Sequence, residues 1–504
     1  MPAPTPGVLW LWTSAGRFDA THTCSKSQRH APAWVSVSSS AEAVAPSSRF
    51  LPTTMAAALF MDLLDSAALG SALPTMAREF HTEALHLKLA LTAYLITLAI
   101  LVPASGWLAD RYGARRVFVT AIMVYLVGSL CCGLANSVGE LVAARVLQGM
   151  GGAMMTPVAR LILVTSTPRE RLVDAMNAFT LPAILGPLMG PPLAGLLLEF
   201  ASWRWIFFIN IPVGLVGIVA VLRIVPRSRH RHPGPFDGFG FAAAAVGVVT
   251  LILLSESIGS DFLSPRIRML VAAVATVAWI AFIRHALRTH APMLDLRLLS
   301  KTTYRASMLG GSVLRVGIGA SPFLLPLLLQ TALGWSPLKA GMVFTSMTIG
   351  SMVARFGGTY AIRVLGFRNA LIGTAFLTAV FTAAPALFNT DTSLLFVLAS
   401  FLTVGFFRSA HYVASGALTF AEVAIEEVSR ASTLSTVIQQ ISMSIGISFA
   451  GVALFLSGGT TNTFTPQQFV LPFVSLGLVT LAAVPIYAQL HAQAGSHMRS
   501  GGRR

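Results

Sequence analysis

Apolar residues run along this chain in blocks of roughly 18 to 25, each followed by a short polar connection. A helix of that length matches the hydrocarbon thickness of a bilayer, so each block is read as a membrane-spanning helix. Fourteen spans are predicted, near 54–75, 89–109, 117–136, 141–165, 176–198, 205–223, 238–258, 269–287, 306–330, 339–361, 369–388, 393–418, 432–456 and 469–490. Many contain Gly or Pro. Lipid-embedded helices tolerate both, because neighbouring helices satisfy the freed backbone groups and small residues permit close crossing.

Composition agrees with the pattern. The chain has 504 residues, of which 55% are hydrophobic and 11% charged, too little polar surface for a soluble globule. The net charge of +16 lies in short clusters between apolar runs, not on a continuous basic face, so it speaks for membrane orientation and against a nucleic-acid partner. With the N-terminus placed in the cytoplasm, 24 Lys and Arg fall on the cytoplasmic side and 6 outside, a strong positive-inside bias. Both termini are therefore expected to be cytoplasmic. Cys24, Cys131 and Cys132 form no disulfide framework, and neither a CxxC pair nor a His cluster suggests a metal. No phosphate-binding loop of the Gly-Lys-Ser or Gly-Lys-Thr type points to ATP, and no cofactor is called for.

Residues 1–53, rich in Ser, Ala, Pro and Thr, read as a disordered cytoplasmic extension. An over-long gene start is the alternative, since Met55 would open the first helix directly. The expected organisation is a six-helix half over 54–225, two inserted helices with their linkers over 226–305, a second six-helix half over 306–490, and a cytoplasmic tail over 491–504. The basic connection at 227–232 (RSRHRH) marks spans seven and eight as the inserted pair.

The stretch 106–117, GWLADRYGARRV, joins two spans at one face. Arg111, Arg115 and Arg116 must stay in water there, Gly106 and Gly113 allow close packing and a tight turn, and Asp110 lies among the arginines. An echo follows the tenth span, where Gly357, Gly358, Arg363, Gly366 and Arg368 recur with Ile362 in place of the acid. Two halves with corresponding loops imply an internal repeat.

Asp62 and Asp65 lie three apart in the first span and so share a helical face. They are the only acids deep in any span. A carboxyl there is a functional candidate, because burial can bring its proton affinity toward neutral pH; permanent pairing with an arginine as a structural strut is the alternative. Arg145 opens RVLQGMGGAMMTP in the fourth span, whose Gly149, Gly151 and Gly152 let another helix approach. The fifth carries Gly186, Pro187, Gly190, Pro191, Pro192 and Gly195, a kinked and closely packed segment. WRWIFFINIPVG, at 203–214, reads as an aromatic belt at the outer interface.

Together these residues carry a resemblance. The 106–117 stretch resembles the loop between helices 2 and 3 of the major facilitator superfamily. LDSAALGSALP, the segment from Arg145 to Pro157, GPLMGPPLAG, WRWIFFINIPVG and SPLKAG at 336–341 resemble motifs of its fourteen-helix drug:proton antiporter family. The resemblance covers about residues 55–455. Ala194 departs from it where the family has glycine, as do Ala67, Gly70 and Ser71 after Asp65, which bears on substrate identity. What it implies is an all-α membrane protein of the major facilitator fold, acting as a monomer in the lipid bilayer and exporting small organic molecules such as drugs or antibiotics against inward proton flow. Asp65 would carry the proton, with Asp62 a second candidate and Arg145 its charge partner or relay. The glycines of the fifth span would seal the halves, and Asp110 would hold the inner gate near the start of span 13.

Two other classes stay open: a proton-coupled importer of the same fold, and a membrane-embedded non-transport protein, for which His411 near Arg408 is the one suggestive cluster. Arg315, Arg408, His411 and Gln439 are assigned to the substrate cavity. Arg160 and Arg355 lie near span ends and can snorkel to water. Arg315 and Arg408 lie deeper, in the half without a deep acid, which predicts a neutral or anionic substrate unless each pairs across the cavity with Asp62 or Asp65.

Overall fold

A computed structural model describes residues 50–168, 171–226, 235–257, 263–290, 292–424, 427–458 and 464–491. The N-terminal extension, the RSRHRH connection and the C-terminal tail lie outside the described residues, as do the side chains of 355–363 in the echo loop. The helices, in order, are α1 Leu51–Glu79, α2 Ala84–Tyr112, α3 Ala114–Leu134, α4 Val138–Ser166, α5 Leu172–Phe200, α6 Trp205–Phe208, α7 Asn210–Ile224, α8 Gly238–Glu256, α9 Pro265–Arg288, α10 Thr302–Gly319, α11 Ser321–Pro326, α12 Pro337–Ala383, α13 Leu394–Thr419, α14 Val428–Leu456, α15 Val470–Leu481 and α16 Ala483–Ala488.

Among the described residues twelve helices are long and apolar enough to cross a membrane. The two remaining predicted spans, the fifth and tenth, coincide with α5 and with the first part of α12. α1 starts at Leu51, earlier than predicted, because Pro52 occupies the first turn and the Thr53 and Thr54 hydroxyls donate to the Phe50 carbonyl at 2.9 and 2.8 Å. The predicted ninth span lies within one of the twelve, Thr302–Ala332. It divides into α10, α11 and a π-helical turn Leu327–Ala332, where Pro322 and Pro326 remove ladder donors.

The internal repeat is visible in the backbone. Gly113 alone connects α2 to α3, at φ 88° and ψ 128°, and Gly366 bends α12 at φ 77° and ψ 164°. Both lie in the left-handed region that an L side chain rarely adopts, which is why the two loops share a glycine.

The packing is unequal at the two ends. A single hydrophobic cluster joins the C-terminal part of α1 and the start of α2 to α11, the start of α12, the end of α14 and the start of α15. Toward the opposite end the chain has separate clusters, one among α1 to α5 and α7, and two in the second half. The halves thus share an apolar core at the end predicted to be external, while toward the other end none of the clusters spans both halves. α8 packs on α9 and also touches α2 and α14. In α9, few residues are buried inside the protein.

Candidate functional site

The buried polar centre of the first half is built from five side chains on four helices. α1 supplies Asp65, α4 supplies Arg145 and Gln148, α3 supplies Ser129 and α7 supplies Asn210; all five side chains are at most 1% exposed. Arg145 Nη1 donates to Asp65 Oδ2 at 2.5 Å and to Gln148 Oε1 at 2.6 Å, while its Nε reaches the Ala90 carbonyl at 3.3 Å. The other carboxylate oxygen, Asp65 Oδ1, accepts from Asn210 Nδ2 at 3.0 Å and Gln148 Nε2 at 3.2 Å. Asn210 also donates to Ser129 Oγ at 3.0 Å, and Ser129 donates to the Phe207 carbonyl at 2.9 Å.

Tyr94 of α2 links the second acid to this centre. Its hydroxyl donates to Asp62, which is partly accessible, and the Arg145 guanidinium lies 4.2 Å from its ring centroid. Asp62 and Asp65 therefore face different partners although they lie on one side of α1. A desolvated guanidinium satisfied by a carboxylate, an amide, a carbonyl and an aromatic face is stable only as a unit, since losing one member strands the rest in low dielectric.

The glycines of RVLQGMGGAMMTP make room for it. A Cβ at Gly152 would come 2.5 Å from Tyr94 Oη, one at Gly149 2.8 Å from Thr97 Cβ, and one at Gly151 2.5 Å from the Tyr125 nitrogen. Sequence reasoning named Asp65 and Arg145 but missed Gln148, Asn210, Ser129 and Tyr94. The signal was an amide side chain inside two of the quoted motifs. Trp203 departs from the predicted aromatic belt: it is 1% exposed, its Nε1 donates to Glu79 Oε2 at 2.6 Å, and Arg204 lies over its ring and pairs with Glu79. Trp205 is exposed, as a belt residue would be.

α5 lies between α1 and α12, and its motif packs on both. Cβ atoms at Gly186 and Gly190 would come 2.9 Å from Leu63 Cβ and Ala67 Cβ, whereas one at Gly195 would come 2.8 Å from the Pro337 carbonyl oxygen. From α12, a Cβ at Gly341 would come 2.7 Å from the Pro191 carbonyl oxygen, and the Thr348 hydroxyl donates to the Pro187 carbonyl at 3.3 Å. Nearby, Gln330 Nε2 donates to the Ser71 carbonyl at 2.9 Å and the Pro322 carbonyl closes on Gly70. These contacts join the halves at the shared-core end.

In the 106–117 loop, Arg115 Nη2 donates to the Leu222 carbonyl at 2.5 Å, tying the turn to the end of α7. Arg111 and Arg116 are exposed, Asp110 is half-buried, and a Cβ at Gly106 would meet nothing within 4 Å. The second half places its predicted residues apart. His411 is fully buried between Thr374 Oγ1 at 3.1 Å and the Tyr487 hydroxyl at 3.0 Å, so both ring nitrogens are engaged within helix packing. Gln439 is exposed on α14, and Arg315 lies near Tyr412, its guanidinium 5.6 Å from the ring centroid. Arg408 lines a narrow cavity among α10 to α13 and α15. Asp65 is paired with Arg145 instead of an arginine of the second half.

The fold is that of a membrane transporter built from two helical halves. The chain belongs to the Major Facilitator Superfamily, whose family model matches residues 55–321. It is 35% identical over 453 residues to a putative multidrug resistance protein, MdtD, of Enterobacter sp. (strain 638), an alignment covering 88% of this chain and 95% of that one. Among solved structures it resembles a mutant of the peptide transporter POT, with a TM-score of 0.67 at 16% identity over 90% of this chain and 98% of that one. It also resembles a bacterial homolog of the human lysosomal transporter Spinster in an inward-facing, unoccupied conformation, with a TM-score of 0.60 at 16% identity over 89% and 96% of the two chains.

Proposed function

We propose that this protein exports small organic molecules across the cytoplasmic membrane by exchange for protons, as a monomer with fourteen spans and both termini cytoplasmic. The observation that carries this reading is the buried Asp65–Arg145 pair, joined through Tyr94 to the more accessible Asp62. The multidrug-resistance name of the relative supports export over import.

A proton arriving at Asp65 would cancel one charge of the pair and leave Arg145 as a cation held by Gln148, the Ala90 carbonyl and the Tyr94 ring. That change in charge balance alters which packing of α1 against α4 is favoured. It supplies the two-state element that coupling requires. Asp62 and Tyr94 give the proton an approach from the accessible side of α1, and the α5–α12 seam provides the surface on which the halves rock. At 100 mV one inward proton carries about 2.3 kcal/mol, enough to sustain a substantial outward gradient of substrate.

Everted membrane vesicles test the reading. Energised vesicles containing the protein should accumulate a lipophilic dye or an antibiotic and release it when a protonophore collapses the gradient. Loading of right-side-out vesicles instead would reverse the direction, and no gradient-dependent movement of any compound in the panel would remove the transport reading.

A further inference from the structure

The two halves treat the arginines inside their spans differently. In the first half Arg145 has a carboxylate beside it. In the second half the spans hold Arg315, Arg355 and Arg408 and no acid. Among the described residues, neither Arg315 nor Arg408 belongs to an ion pair. Arg315 Nε and Nη1 are buried without a hydrogen-bond partner.

Arg408 is the one charged residue lining the narrow cavity, whose walls include Phe381, Phe401 and Phe473 with the hydroxyl-bearing Ser321 and Thr382. Tyr412 follows Arg408 by one turn of α13, and the Arg315 guanidinium lies 5.6 Å from its ring centroid. A guanidinium does not shed its proton to escape such a place, so its charge must be balanced from elsewhere. Apolar walls strengthen any counter-charge that enters, because water competes weakly there. A guanidinium also presents several parallel N–H donors, a geometry suited to a carboxylate or a halide.

We propose that Arg408, with Arg315 near Tyr412, forms an anion site inside the second half that takes a monovalent anion, either the carboxylate of an exported compound or a free halide. The site stands on the geometry of the second half and not on the proton-coupling reading, which has its own test at Asp65.

The full-length protein, purified in detergent, should be melted in sodium chloride, sodium benzoate and sodium gluconate at equal ionic strength. Chloride or benzoate is expected to raise the midpoint by about 2 °C or more over gluconate. Arg408→Met should lose that dependence, and Arg408→Lys should keep part of it, which separates loss of the site from loss of the fold. Equal midpoints in all three salts, or a dependence that persists in Arg408→Met, would overturn the proposal. Everted vesicles distinguish the two sources of anion: chloride that inhibits export of a carboxylated dye marks the substrate carboxylate as the occupant, and chloride that does not inhibit it marks a halide site separate from the transported compound.

Discussion

Arg145 and Asp65 meet at 2.5 Å with neither side chain more than 1% exposed, and each is also held by Gln148. Asp65→Asn keeps the shape of the side chain, removes its charge and turns one accepting oxygen into an NH2 that faces the donors of Arg145 or of Gln148 and Asn210. We expect the variant to fold, bind dye and lose energised export, measured as vesicle accumulation against a pH gradient. Arg145→Ala should behave worse, since it leaves a buried carboxylate without its cation, a loss of about 3–5 kcal/mol visible as reduced yield and melting temperature. Normal proton-driven export by Asp65→Asn would eliminate Asp65 as the carrier.

Close helix crossing predicts a contrast within α13. A Cβ at Gly405 would come 1.9 Å from the Met347 carbonyl oxygen, whereas one at Gly416 would meet nothing within 4 Å. Gly405→Ala should therefore destabilise by about 1–3 kcal/mol through overpacking of α12 on α13. Gly416→Ala should be neutral or slightly stabilising, through the better helix propensity of alanine. Thermal unfolding of the two variants in one detergent decides it.

The seam between the halves predicts a conformational effect. A larger side chain at Gly341 runs into the Pro191 carbonyl, 2.7 Å from a Cβ there. Gly341→Val should wedge α5 from α12 and disfavour closure at the shared-core end. A cysteine replacing Ser71, whose carbonyl accepts from Gln330, should then react faster with an impermeant thiol reagent. Unchanged reactivity would mean that this seam does not move.

The gate predicts a contact absent from the state described above. Asp110 closes the C-terminal end of α2, and α14 begins at Val428 with Ser432 one turn inside. When the shared-core end opens and the opposite end closes, the Asp110 carboxylate should meet the positive end of the α14 dipole, worth roughly 0.3 to 1 kcal/mol at an exposed site. Cysteines replacing Asp110 and Ser432 should cross-link in protein held open at the shared-core end, and fail to do so in the present state. Equal cross-linking in both would sink the gate assignment.

A pH dependence is expected at the α8–α9 pair. Asp237 caps α8, accepting from the Gly240 nitrogen at 2.9 Å, the Met293 nitrogen at 3.1 Å and His285 Nε2 at 2.7 Å. Burial pushes its carboxyl up, but these hydrogen bonds and the nearby His285 outweigh burial and hold it below its ordinary 3.8. A carboxyl depressed in the folded state contributes stability above its unfolded value, and that contribution is lost as pH falls through the lower folded value. The protection of α8 amides, measured against their intrinsic exchange rate, should fall below about pH 4 in the parent. In Asp237→Asn it should already be lower at neutral pH and insensitive to that titration.

Much of the chain was legible because bilayer thickness imposes one length on every span, so hydropathy alone located α1 to α4, α8, α9, α13 and α14. The Gly113 turn and its echo at Gly366 were legible for a related reason: a backbone angle that only glycine adopts freely leaves a glycine in the sequence. Asp65 and Arg145 stood out because a charge in hydrocarbon is costly and therefore rare. Tertiary structure decided the rest. That Asp65 faces Arg145 while Asp62 faces Tyr94 depends on which helices cross at α1, over sequence separations of 80 and 32 residues that no local pattern encodes. Asn210 and Ser129 joined the centre, and His411 went to Thr374 and Tyr487, for the same reason: an uncharged polar side chain costs little enough in a helix to be unremarkable until its neighbours are known. The burial of Trp203 against Glu79 likewise depends on helices that meet only in the folded protein.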